Sequence, residues 1–260
     1  CIIIGMYRKS VVLLLSLFIL FQFLFSSCTT TKKTTHIEEK NIDISLFNNE
    51  LSENISVVEN EPKVLSLLFS GDIMAHKVNF QMEDFDIAYT TIKPLLEEHD
   101  LNFANYETPI NDTIPYSTFP NFNVHSEYAM ASINAGFNVF TLANNHSNDQ
   151  DLQGIISTKT FFDGLKTINV WNTGLHLTKK TNDTGISFDI IEKNGWKILF
   201  ASYTEILNRY LASDYIDYYL PTEKHREKLI GDLQKIMKEN TYDFFVLGVH
   251  SAEAEYSTYI

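Results

Sequence analysis

G-F-N-V-F-T-L-A-N-N-H-S-N-D-Q-D-L-Q-G, residues Gly136 to Gly154, joins an apolar run to a block of polar side chains. Phe137 to Leu142 has the aromatic and β-branched composition of a buried strand. It gives way at once to Asn144, Asn145 and His146, then Ser147, Asn148 and Asp149. Amide, imidazole and carboxylate groups just past the carboxyl end of a strand stand where α/β proteins gather ligands. An Asn amide oxygen is a neutral ligand for a metal ion, and a neighbouring His can move a proton. Asn, Asp and Ser are also the commonest turn formers, so the block alone reads equally as a polar turn.

The same pattern recurs on either side. Val64 to Phe69 is a strand candidate running into Ser70-Gly71-Asp72, where Gly71 lets the backbone turn and Asp72 projects at the strand end. Asp72 with His76 suits a metal, or Asp72 caps the next helix. Asp100 to Pro109 contains a short strand ending in Asn105 and Glu107, and Tyr242 to Val249 is a strand ending in His250, followed by Glu253 and Glu255. Turn chemistry explains any one of these ends. Asp72, Glu107, Asn145 with His146, and His250 together suit two divalent cations and a proton donor.

The intervening segments alternate with these strands, which sets the class as α/β. Phe85 to Glu98 reads as helix, with Pro94 marking a kink or a break into two pieces. His125 to Ala135 and Ile155 to Ile168 are further helices, with His125 either a substrate contact or a surface histidine. Gly185 to Thr204 reads as a hairpin about Asn194-Gly195. Tyr215 to Pro221 is a substrate wall or an irregular loop. Glu223 to Glu239 is an amphipathic helix that turns Leu229, Leu233, Ile236 and Met237 inward.

The net charge of −13 over 260 residues argues against nucleic acid as a partner and against loose adhesion to anionic lipid. An acidic polymer would need bridging cations or a local basic patch, and the sequence does not locate one. Cys1 and Cys28 are the two cysteines, which excludes a disulfide framework or a cysteine metal cluster. Cys1 to Gly5 precede Met6 and read as an upstream misplacement of the start. Arg8 and Lys9 then lead the apolar run Val11 to Phe25 and Ser26-Ser27-Cys28, a signal peptide over residues 1–27. Small residues before Cys28 resemble a bacterial lipobox, which implies lipidation of Cys28; the competing reading is an uncleaved amino-terminal anchor. Residues 28–62 read as a flexible tether, with one short strand at Ile55 to Val58, and the folded body spans 63–260.

Gly71-Asp72-Ile73-Met74, Asn105-Tyr106-Glu107-Thr108-Pro109, Ala143-Asn144-Asn145-His146-Ser147 with Asp149 and Gly154, and His250 with Glu255-Tyr256 resemble the CapA capsule-synthesis family. The resemblance implies a calcineurin-like metallophosphoesterase-type fold, a four-layer αββα sandwich with metals at the strand ends. It implies Asp72, Glu107, Asn145 and His250 as metal ligands and His146 as acid or phosphate contact, with divalent Mn, Fe or Zn as cofactor. It further implies a part in capsule or poly-γ-glutamate synthesis or export, acting on an extracellular polymer or a phosphoester, while the amino-terminal reading makes the protein an exported membrane lipoprotein. Two functions stay open, a metal-dependent hydrolase and a non-catalytic protein that binds or anchors the polymer. The sequence departs from the family pattern at Asp151, where glycine is usual, and at Ser251-Ala252. It ends at Ile260, ahead of the family's Gly-x-His-x-His motif, so a carboxyl-terminally truncated domain is expected.

Overall fold

The computed structural model describes residues 64–251 and the backbone of the strand Ile2–Gly5. The expected signal peptide beyond Gly5, Cys28, the tether and Glu253 and Glu255 lie outside the described residues.

Two four-stranded sheets form the centre. In the first, β2 (Leu67–Ile73), β3 (Leu101–Tyr106), β4 (Val139–Thr141) and β5 (Trp171–Thr173) run parallel in that order. The second has the order β1-β8-β7-β6, with β1 (Ile2–Gly5), β6 (Phe188–Lys193), β7 (Trp196–Thr204) and β8 (Phe244–His250). β6 and β7 form the expected hairpin; Asn194 and Gly195 have φ of 50° and 77°, the two positive values that a type I′ turn requires. β8 lies parallel to β7, and β1 pairs antiparallel with β8. Ile2–Gly5 therefore form an edge strand of this sheet, consistent with the β-branched composition of Ile2, Ile3 and Ile4.

The helices are α1 (Lys77–Phe80), α2 (Lys93–Glu97), α3 (Ser126–Ala135), α4 (Asp151–Gly164) and α5 (Glu223–Glu239). Three apolar layers show how they stack. Leu101, Phe103 and Val139 of the parallel sheet meet Ile198, Phe200 and Val246 of the mixed sheet, with the Phe103 and Phe200 rings 5.6 Å apart, edge to face. The alternating residues of the parallel sheet, Ala104 and Phe140, face out onto Tyr128 and Ala129 of α3 and Ile155 and Phe162 of α4. Leu199, Ala201 and Tyr203 face out from the mixed sheet onto Leu229 and Ile236 of α5. Leu233 and Met237 complete that face as partly buried neighbours. The order helix, sheet, sheet, helix is a four-layer αββα sandwich, the expected arrangement. Among the described residues no helix is long and apolar enough to cross a membrane.

Local details differ from expectation for identifiable reasons. Asp72 does not follow a turn at Gly71; β2 continues through it to Ile73, and a bulge between Phe69 and Asp72 re-aims the chain. The segment 85–98 takes the second of its two expected forms, a break into two pieces: Phe85–Tyr89 is a 3-10 turn and Pro94 lies in the first turn of α2. α4 begins at Asp151, a turn before Ile155, because Asp151 takes a left-handed conformation with φ 53°. That is the position where the family pattern favours glycine, which reaches this region without steric penalty.

Candidate metal centre

The register of the parallel sheet sets Asp72 beside Asn105, and Asn105 beside Thr141. β8 supplies His250 from the other sheet, where it pairs with Thr204. Close approach of the sheets depends on Gly248, since a Cβ there would stand 2.4 Å from Thr141 Cγ2. Asp72, Glu107 and His250 thereby converge, with one ligand atom from each lying within 4.8 Å of the others. Asp72 is exposed, Glu107 is buried and His250 is half-buried.

Asn105 organises the group. Its Nδ2 donates to Asp72 Oδ1 and Glu107 Oε2, each at 2.9 Å, and lies 3.4 Å from His250 Nδ1. Its Oδ1 accepts from Thr141 Oγ1 at 3.0 Å and Asn144 Nδ2 at 3.2 Å. Asn145 Oδ1 is 2.8 Å from His250 Nε2, so that nitrogen carries the ring proton and Nδ1 presents its lone pair to the group. Burial pushes the His250 imidazole down to about 4, against the upward pull of Asp72. The neutral ring, the form that ligates metals, is thus the one present at neutral pH.

The polar block after β4 divides its work. Asn144 and Ser147 build the turn: Ser147 Oγ accepts from Asn144 N and donates to Leu142 O, while Asn144 Nδ2 donates to Tyr106 O. Asn145 faces the metal group. His146 is not among the three converging groups and is only 3% exposed. Its Nδ1 is 2.7 Å from Asp149 Oδ2, and its ring packs edge-on against Phe122 at 4.6 Å. The turn reading of this block therefore holds for Asn144 and Ser147, whose side chains hydrogen-bond within it.

Other expected contacts fall elsewhere. His76 stays outside the group, exposed, with its ring 5.4 Å from Phe122. His125 is neither a surface histidine nor a residue of this group: Nε2 is 2.9 Å from Ile114 O, and the ring packs on Tyr116. Asn208 was not visible as a site residue. It follows β7 as the other polar groups follow their strands, and its Nδ2 is 3.2 Å and 3.3 Å from the two ring nitrogens of His146. Its Oδ1 accepts from Asn145 Nδ2 at 3.2 Å, so one amide links the two adjacent residues. Arg209 fastens this loop by donating to Asp149 O and standing 2.9 Å from Asp151 Oδ1.

Two sheets, a carboxylate–imidazole group at their shared end and the ordered motifs that supply it match one family. The pattern of the bacterial capsule synthesis protein PGA_cap covers residues 66–259. The chain belongs to this family. No curated protein sequence matches the chain. Among solved structures, the PGA_cap chain is similar to a hypothetical protein from Thermus thermophilus, at 18% identity and TM-score 0.42 over 73% of this chain and 59% of that one. It is also similar to a novel phosphatase of Mycoplasma pneumoniae, at 16% identity and TM-score 0.45 over 73% of this chain and 56% of that one. The chain thus spans less than two thirds of the length of either.

The donor set fits a divalent cation. Two carboxylates and a neutral imidazole are hard-to-borderline ligands of the kind such an ion takes.

Proposed function

We propose that the protein is an exported, Cys28-lipidated hydrolase of the metal-dependent phosphoesterase type, acting in the synthesis or export of a capsule polymer such as poly-γ-glutamate. The observation that carries this reading is the convergence of Asp72, Glu107 and His250 within one 4.8 Å cluster. These three would hold the cation, with Asn145 beside them. A bound divalent cation polarises a phosphoryl oxygen and lowers the pKa of a water. The chain supplies the rest. Asn105 orients both carboxylates, Asn145 fixes the His250 tautomer, and Asp149 holds His146 through Nδ1. His146 would then exchange its proton with a leaving oxygen through Nε2.

One observation favours a second reading, a non-catalytic polymer binder. His146 is 3% exposed and has Asp149 and Asn208 at its nitrogens, which leaves a substrate little access to it. Metal content and turnover of p-nitrophenyl phosphate by the full chain separate the two. Asp72→Ala and His250→Ala should each lose metal affinity at least about tenfold, while His146→Ala keeps metal and loses turnover about a hundredfold or more. Full metal content in both ligand variants overturns the site. Metal binding without turnover, with polymer binding that survives His146→Ala, establishes the binder.

A further inference from the structure

A second cavity, of about 460 Å³, opens between the amino end of α5 and the segments 180–182 and 213–219. Lys180, Lys224, His225 and Lys228 line it, a concentration of positive charge in a chain whose net charge is −13. The acidic residue in its lining is Asp214, and that carboxylate is 2.9 Å from Lys179. Lys180 and Lys228 hold their ammonium groups 5.0 Å and 6.0 Å from the centroid of one ring, Tyr219. Asp217 anchors Lys180, and Asp232 anchors Lys228. Lys224 makes no ion pair among the described residues.

This arrangement runs against local physics. Lys224 and Lys228 are an i,i+4 pair of like charge, which weakens a helix. They also sit in the first turns of a 17-residue helix, where the helix dipole is already positive. His225 Nδ1 accepts the Leu220 N–H at 2.9 Å, so the neutral ring carries its proton on Nε2 as a further donor. An anion in the cavity would relieve each of these conflicts together.

We propose that the cavity is an oxyanion site, separate from the Asp72 group and independent of metal, for a ligand carrying two or more clustered negative groups. Carboxylates along an acidic chain and a polyphosphate share this chemistry. Tetraglutamate and tripolyphosphate, titrated calorimetrically into the full chain in metal-depleted buffer of low ionic strength, tell them apart. At least one should bind, with affinity that falls as salt is added. Lys224→Ala/Lys228→Ala should weaken that binding at least about tenfold while the variant still melts in one cooperative transition, both residues being exposed. Asp72→Ala should leave it unchanged. Binding of tetraglutamate alone assigns a carboxylate polymer; binding of tripolyphosphate alone assigns a phosphate ligand. The proposal falls if neither probe binds, if the double variant binds as the wild type does, or if Asp72→Ala is the change that abolishes binding.

Discussion

Two groups of carboxylates are gathered in this molecule, and they are held by different means. Asp72 and Glu107 share the neutral amide of Asn105. Asp217 is fully buried and meets Lys180, His176 at 2.9 Å, and the backbone N–H and hydroxyl of Ser187. Burial alone would push the Asp217 carboxyl up, but His176 and Lys180 outweigh it and hold it down at about 2. A buried carboxylate with a built-in cation is thus a structural rivet. The carboxylates of the other group are aligned by an amide instead.

The largest effect should come from taking the cation out of the second group. Lys180→Ala leaves the Asp217 charge buried beside His176 alone among its basic partners, and should destabilise the fold by about 3–5 kcal/mol. Thermal melting checks this; a loss below about 1 kcal/mol would show that Lys180 is no rivet.

Next come two separate acid limbs. The His250 pKa in the folded chain, about 4, is below the ordinary 6.5, so the unfolded chain binds the proton first as pH falls. Stability contributed by this group is complete above the ordinary value and declines by about 3 kcal/mol between pH 6.5 and 4. Asp217 behaves likewise in a lower window: its contribution is complete above pH 3.8 and is lost by about 2, a further decline of about 2 kcal/mol. Urea midpoints measured against pH in metal-free buffer should show both limbs, and His250→Asn should remove the upper one. A single limb below pH 4 would dissolve the distinction between the groups.

The smallest effect is at Asp151. Replacing it with glycine relieves the left-handed strain but removes the contact with Arg209, and the two nearly cancel. Asp151→Gly should lie within about 0.5 kcal/mol of wild type by thermal melting.

Much of the fold was legible because its signals are local. Asn194-Gly195 announced the hairpin, and the apolar face of Glu223–Glu239 announced a helix that covers a sheet. The ends of β2, β3 and β4 come together because parallel strands of one sheet deliver their carboxyl ends to one edge, and β8 brings His250 from the other sheet. What stayed hidden depends on contacts between distant residues. Lys180 and Asp217 are separated by 37 positions, and Asn208 reaches His146 across 62. Nothing near His146 in sequence announces that its ring is tucked under Phe122. The bulge in β2 and the left-handed start of α4 shifted boundaries because each depends on backbone angles that side-chain pattern does not encode.

The position of Gly248 has a consequence for how the protein matures. Asp72 and Glu107 belong to the first sheet and the loop that follows its second strand, while His250 arrives on the second, brought close by the bare backbone at Gly248. The complete ligand set therefore exists only after the two halves have docked. An ion bound by all of them has nothing equivalent to bind in the open chain, and at a thousand times its dissociation constant it would favour the docked state by about 4 kcal/mol.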